Sequence, residues 1–330
     1  MRLAILGAGA WGTALGISLA SRHQVSLWVR DPGQGRKLAA DRINARYLPD
    51  VAIPERVRIT PLIESVIEDS ELTIVAVPTS ALRETLKRVA STGTTTGIVW
   101  LCKGFETGSA KFPHEVAREV LPSGQPSGAL SGPSFASDVA RGLPAAVTLA
   151  SGDLQFAADA SRELHTGRLR IYSSDDLVGV ETGGAVKNVI AIAAGVCDGL
   201  NLGASARAAL ITRGLAEMTR LGVCLGGRAE TFMGLTGVGD LMLTATSDLS
   251  RNRRVGLQLA LGRPLSAILA ELGHVAEGVY TAPEVLRKSD QLAVDMPITR
   301  AVCQLLAGTT SARSVVESLL QRGPKSESVR

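Results

Sequence analysis

Aromatic side chains are scarce in this chain of 330 residues, where Phe, Trp and Tyr together make up 3%. Hydrophobic residues still reach 45%, so the cores must be built from Leu, Ile, Val and Ala. With few stacking rings and no Lys/Arg block, a nucleic-acid role is not expected. Net charge is only +4, which would suit a small phosphorylated ligand but decides nothing alone. The four cysteines, Cys102, Cys197, Cys224 and Cys303, lie far apart, with no C-x-x-C and no His at ligand spacing. That excludes a disulfide framework and the common zinc patterns, and predicts reduced core thiols in a cytoplasmic protein without a metal. No unbroken apolar run of roughly 18 residues exists, so no membrane span is expected. The apolar run before Gly7 is too short for a signal peptide.

Glycine, by contrast, is well placed. A short apolar strand over residues 3–6 runs into Gly7-Ala8-Gly9-Ala10-Trp11-Gly12 and then a helical stretch to about residue 21. This is G-x-G-x-x-G between a strand and a helix, the context in which it marks a dinucleotide site. The first glycine makes the turn, the second lets a pyrophosphate approach the backbone, and the third lets helix and strand pack closely. The helix start offers free N–H groups and the positive end of the dipole to the phosphates. A second strand, residues 24–29, ends in Arg30-Asp31. A guanidinium there suits a 2′-phosphate, which predicts a preference for NADP(H). Asp31 keeps NAD(H) possible, because a carboxylate at this place suits a ribose 2′-hydroxyl.

Further along, helices are expected over residues 34–45, from 61, over 80–89 and over 154–164. Strands are expected near 57–60, 72–77, 97–102, 128–131, 145–150 and 169–172. The near-continuous apolar run at 72–77 indicates a strand buried on both faces, as in a parallel sheet. Lys103 follows strand 97–102, at the strand end where open α/β sheets bind ligands; an ordinary loop lysine would look the same. Gly132-Pro133-Ser134-Phe135-Ala136 opens another turn, with Pro133 suited to the first turn of a short helix.

Beyond Ser174 helical periodicity takes over, and the domain boundary is placed near Val178. A length of 330 residues fits about two domains. The apolar helix around Lys187 carries one cation, and on helical spacing Gly183, Gly184 and Ala191 share its face. Such small neighbours leave room for something to lie beside a buried lysine; alternatively the lysine snorkels to water. A second long helix is expected over 206–221. Gly234-Leu235-Thr236-Gly237-Val238-Gly239-Asp240 implies backbone held close to a partner. Asp240 and Thr244 would then share a helix face. Ser250-Arg251-Asn252-Arg253 could grip a phosphate, Arg by a two-point contact, or could be a solvated helix start. Helices at 265–272, 282–289, 298–306 and 311–322 are expected to follow, with a disordered tail at 323–330.

Eight stretches in order resemble bacterial NAD(P)-dependent glycerol-3-phosphate dehydrogenase. They are Gly7-Ala-Gly-Ala-Trp-Gly-Thr-Ala14, Lys103-Gly-Phe-Glu106, Leu130-Ser-Gly-Pro-Ser-Phe-Ala136, Gly183-Gly-Ala-Val-Lys-Asn188, Ala209-Leu-Ile-Thr-Arg-Gly-Leu215, Gly234-Leu-Thr-Gly-Val-Gly-Asp-Leu241, Ser250-Arg-Asn-Arg253 and Ala276-Glu-Gly278. The resemblance covers the chain to about residue 320. It implies an α/β fold: an N-terminal Rossmann doubly wound sheet over residues 1–178 and an all-α substrate domain over 179–322. It implies reversible reduction of dihydroxyacetone phosphate to sn-glycerol 3-phosphate, supplying phospholipid synthesis, and a homodimer at family level.

By the same resemblance Lys187 falls on the position of the family's proton-transfer lysine; Lys103 is expected to aid it and Asp240 to orient it. Lys103, Gly132, Ser134, Lys187, Asp240, Ser250, Arg251 and Asn252 fall on substrate positions. Trp11, Arg30, Lys103, Ala136, Arg251, Val275 and Glu277 join Gly7, Gly9, Ala10 and Gly12 at cofactor positions. Ala10 stands where many members have Ser, and Ser205 where Asn is common. The rivals are a related dehydrogenase acting on a β-hydroxyacid or nucleotide sugar, and a dinucleotide-sensing protein without catalysis.

Overall fold

The computed structural model describes residues 1–273 and 275–322; the tail 323–330, expected to be disordered, lies outside them. The chain divides into two compact units. One comprises Met1–Lys103 and Lys111–Leu177; the other comprises Gly104–Ala110 and the chain from Val178 onward. The short segment Gly104–Ala110, expected in the first domain, therefore groups with the second.

The first unit is built on strands β1 Arg2–Leu6, β2 Gln24–Trp28, β3 Ile43–Asn44, β4 Leu48–Ala52, β5 Arg58–Thr60, β6 Leu72–Val75, β7 Gly97–Trp100, β8 Ser127–Ser131, β9 Ala145–Ala150 and β10 Leu169–Ser174. Eight of them form one sheet in the order β10-β9-β8-β7-β6-β1-β2-β5. From β8 through to β5 every neighbouring pair is parallel, whereas β8 and β9 are antiparallel. All four residues of β6 are buried, as expected for a strand covered on both faces. Ile5, Leu6, Ile74, Ile98 and Val99 are fully buried. Side chains of this kind contribute roughly 1.5–3 kcal/mol each when taken out of water. Strand order reverses at β1, which has β2 on one side and β6 on the other. Ligands of open α/β sheets sit outside the carboxyl ends of the strands at such a reversal.

Several local expectations need correction. The helix expected to reach residue 45 stops at Asp41, because Arg42 turns left-handed (φ 53°). Its guanidinium then bonds the carbonyls of Pro54 and Val57, and a β3–β4 hairpin follows. Pro133 does not enter a helix; the helix after it is Ala136–Ala140 with Phe135 at its cap. Of the four cysteines only Cys197 is buried, and Cys224 is exposed.

The second unit is helical. Its centre is the helix Leu177–Gly199, nearly all of it buried. By length and composition this is the one helix among the described residues apolar enough to cross a membrane, but 83% of its apolar window is buried within the protein. Glycine sets how closely other helices approach it. A Cβ at Gly195 would lie 2.0 Å from the Arg253 carbonyl oxygen, and one at Gly256 would lie 1.9 Å from that of Ile192. The helix Arg251–Ala260 is thus pressed backbone to backbone against the central helix. That contact brings its first residues to Asn188.

Candidate active site

In the sheet unit the turn after β1 is shaped by three glycines with three different constraints. Gly7 has φ +121°, and a Cβ there would lie 2.6 Å from the Ala76 carbonyl oxygen. A Cβ at Gly12 would lie 2.0 Å from the Gly7 oxygen, so the helix Ala10–Leu19 can start so close to the strand only without a side chain there. A Cβ at Gly9 would meet nothing within 4 Å. Open space therefore lies over a helix start with no side-chain cap. Unsatisfied N–H groups at such an end, with the positive dipole, are what a pyrophosphate requires. Asn44 of the unexpected hairpin braces the turn, its buried amide donating to the Ala8 carbonyl (3.0 Å) and the Thr13 hydroxyl (2.8 Å). Sequence reasoning missed Asn44, since nothing local links it to a turn more than 30 residues earlier.

Trp11 and Ala136 pack against the core of this unit. Arg30 is exposed beyond β2 and makes no hydrogen bond or ion pair among the described residues. Asp31, by contrast, has a task of its own: its Oδ1 accepts from Gln34 N at 2.6 Å and caps the next helix. Three of the predicted residues meet at one atom, the Gly132 carbonyl oxygen. Lys103 Nζ donates to it at 3.4 Å and Ser134 Oγ at 3.0 Å. Gly132 has φ +143°, and a Cβ would lie 2.8 Å from Val147 Cα, so glycine alone fits there. These groups follow the carboxyl ends of β7 and β8, the same edge of the sheet as Gly7 and Arg30.

In the helical unit Lys187 is 6% exposed and does not snorkel to water. Its Nζ donates to Asp240 Oδ1 at 2.5 Å and to Thr244 Oγ1 at 3.0 Å. Thr244 in turn donates to the Asp240 carbonyl at 2.6 Å. Asp240 is 1% exposed, so the pair is held almost out of water, where charges interact strongly and an unpaired one is costly. What lies beside Gly183, on the lysine face, is the chain itself. A Cβ at Gly183 would lie 2.4 Å from the Thr236 carbonyl oxygen. Leu235–Gly239 forms one turn of π-helix running into the helix Asp240–Thr246. Gly237 is just as tight, with a Cβ position 1.9 Å from the Phe232 carbonyl oxygen. Gly183 thus lets the backbone of this segment sit on the lysine helix, Gly237 lets the segment fold close upon Phe232, and Asp240 follows at the hydrogen bond to Lys187. Turns of this kind often mark functional sites.

One residue on, Asn188 builds a second buried node. Asn252 Nδ2 donates to Asn188 Oδ1 at 2.9 Å, and Gly278 N donates to Asn252 Oδ1 at 3.0 Å. A Cβ at Gly278 would lie 2.6 Å from the Asn188 carbonyl oxygen. Arg251 is exposed at the first turn of its helix. Arg253 is buried and bonded to Asp198 (2.8 Å) and Asp248 (2.6 Å). Burial works against its charge, but these carboxylates hold its pKa above the usual value. Ser250 is buried as the helix cap, its oxygen accepting from Arg253 N at 3.2 Å. Val275 is exposed, and Glu277 opens the helix Glu277–Gln291. The resemblance did not single out Asn188, Thr244 or Gly278 as site residues. An asparagine next to a lysine in an otherwise apolar helix was the available signal for the first.

A parallel sheet with a glycine turn at its reversal point, and a helical unit with a buried lysine–carboxylate pair, define a nicotinamide-dependent oxidoreductase. The family described as NAD-dependent glycerol-3-phosphate dehydrogenase matches this chain twice: its N-terminal part over residues 2–157 and its C-terminal part over 176–317. A glycerol-3-phosphate dehydrogenase (NAD(P)+) from Nitrosospira multiformis is 59% identical over 331 aligned residues, 99% of each chain. One from Dechloromonas aromatica is 55% identical, again over 99% of each. The crystal structure of glycerol-3-phosphate dehydrogenase from Coxiella burnetii is 41% identical, with a TM-score of 0.92 over 97% of this chain and 98% of that one. The chain belongs to the NAD-dependent glycerol-3-phosphate dehydrogenase family.

Proposed function

We infer that this enzyme reversibly reduces dihydroxyacetone phosphate to sn-glycerol 3-phosphate with NAD(P)H, and that it supplies glycerophospholipid synthesis. One observation carries the assignment of roles. A buried, ion-paired lysine stands next in sequence to an asparagine that grips Asn252 at the start of a cationic helix. Arg251 and Asn252 hold the substrate phosphate, the guanidinium by a two-point contact and the helix start by its N–H groups and dipole. Holding the phosphate orients the three-carbon body. NAD(P)H, when bound, supplies the hydride. Lys187 gives its proton to the C2 oxygen as that oxygen gains negative charge, and takes it back in the reverse direction. Asp240 and Thr244 fix the direction of the ammonium. Lys103, anchored on Gly132, is a second donor to the same oxygen.

The residues fit the dinucleotide. Gly7, Gly9 and Gly12 leave the cradle over the first helix start, Ala10 and Trp11 form its first turn, and Asn44 holds the turn in place. Arg30 is available to a 2′-phosphate, whereas Asp31 spends an oxygen on a helix cap. This supports a preference for NADP(H) over NAD(H).

The test is loss of reduced-nicotinamide absorbance with dihydroxyacetone phosphate, with NADPH beside NADH. Turnover on the order of 1–10³ s⁻¹ is expected. Turnover only with a β-ketoacid would favour the related-dehydrogenase reading. Tight NADPH binding without turnover on any ketone would favour a dinucleotide sensor.

A further inference from the structure

Lys103 is followed at once by a segment that belongs to the other unit. Gly104–Ala110 groups with the helices, and at Lys111 the chain is back in the sheet unit. The segment is a compact strap. Phe105 and Ala110 are each 2% exposed, Ala110 N returns to the Glu106 carbonyl at 3.0 Å, and Ser109 Oγ donates to the Glu106 carboxylate at 2.6 Å. Three of its residues have positive φ: Gly104 (137°), Gly108 (86°) and Ala110 (51°). Glycine takes such values freely; Ala110 does not, and its left-handed backbone is held by its surroundings.

The strap is held from the helix Glu277–Gln291. Gly108 N donates to Glu284 Oε1 at 2.8 Å, and Arg287 Nη1 donates to the Gly108 carbonyl at 2.9 Å. Arg287 Nη2 closes the ring on Glu284 Oε2 at 2.5 Å. Both polar groups of one glycine are thus held by one ion pair, and the Glu284 side chain is only 9% exposed. The same helix begins with Gly278, whose N–H fixes Asn252. One rigid element therefore carries both the amide that orients the phosphate-gripping asparagine and the clamp on the strap.

We propose that Glu284 and Arg287 are positioning residues for Lys103: by clamping Gly108 they fix the strap whose first residue follows Lys103, and so set where its ammonium stands. Neither touches the substrate. The inference rests on the reading of Lys103 as a donor to the substrate oxygen. A donor displaced by about 1 Å loses much of its effect in catalysis, so loosening the strap should lower kcat without weakening dinucleotide binding.

Arg287→Ala is the main test, because that side chain is 41% exposed and the variant should fold. The expected result is a fall in kcat of about tenfold, an unchanged Kd for NADPH, and partial recovery in Arg287→Lys. In a Lys103→Ala background Arg287→Ala should then cost less than about twofold, since residues acting through one another are not additive. An equal fall in both backgrounds, or none where Lys103→Ala alone is severe, would overturn the clamp and leave the reading of Lys103 intact. A fall of less than about tenfold in Lys103→Ala itself would overturn that reading first, and the clamp with it. Glu284→Gln, which keeps an acceptor for Gly108 N but loses the ion pair, should behave as Arg287→Ala does.

Discussion

In the sheet unit the proposed pyrophosphate cradle is made of backbone N–H groups laid bare by glycine. In the helical unit the proposed reacting groups are side chains, and glycine serves to bring them together. Among the described residues a Cβ at Gly9 would meet nothing within 4 Å, whereas Gly183, Gly195, Gly237 and Gly256 mark space already filled by the chain's own carbonyls. The same residue type thus performs opposite tasks. Gly9 opens a helix start to the outside, whereas Gly183, Gly195 and Gly256 join backbone to backbone. On the proposed roles, the pyrophosphate cradle is a local property of one turn. The proton transfer proposed for Lys187 would instead depend on its contact with Asp240, 53 positions away.

The difference predicts which variants impair which function. Among variants that leave Lys187 in place, Asp240→Asn should have the largest effect, lowering kcat by about 10²-fold. Breaking a buried ion pair from one side costs about 3–5 kcal/mol, and NADPH titration should be unaltered. Gly183→Ala should follow. Its Cβ must displace the Thr236 carbonyl, overpacking of this kind costs about 1–3 kcal/mol, and Asp240 moves with the π turn. The expected result is a kcat loss of about tenfold without loss of NADPH affinity. Gly12→Ala sharpens the contrast from the other side, weakening dinucleotide binding by about tenfold while activity recovers at saturating cofactor. If Gly183→Ala weakened NADPH binding as much as Gly12→Ala does, the division of labour would be wrong. Arg30→Ala should lower the NADPH-to-NADH ratio of kcat/KM by about tenfold, the size of one charge-assisted contact.

The smallest effect at neutral pH lies away from both sites. Glu217 is 1% exposed and bonded by the N–H groups of Ile298 and Thr299 at the start of the helix Pro297–Leu306. Burial pushes its pKa up to about 7, with those N–H groups opposing the shift. The folded state then holds a proton that the unfolded state releases from about pH 4.5 upward. This contribution to stability is whole below that pH, is lost as pH rises to about 7, and is constant beyond it. Glu217→Gln should flatten the fall in thermal stability across that window, which a melting series from pH 4 to 8 would reveal.

Sequence reasoning reached the two sites unequally for the same physical reason. The strand, glycine turn and helix at residues 2–19 are contiguous, so spacing alone specifies the cradle. The Lys103–Gly132–Ser134 cluster depends on β7 and β8 lying side by side, which spacing cannot reveal; the family resemblance supplied it. Asn44, Asn188, Glu284 and Arg287 remained hidden because each acts through a partner distant in sequence. The small residues around Lys187 imply room for something beside it, but nothing local says that at Gly183 the occupant is the Thr236 backbone.

The central claim is that Lys187 is the proton-transfer group of a dihydroxyacetone phosphate reductase. The most direct test is kcat for Lys187→Met with dihydroxyacetone phosphate and saturating NADPH, beside a Lys187→Met, Asp240→Asn double variant that removes the buried unpaired charge and controls for folding. A loss of about 10²- to 10⁴-fold in both, with NADPH affinity kept, is the predicted result. A loss below about tenfold in the well-folded double variant would contradict it.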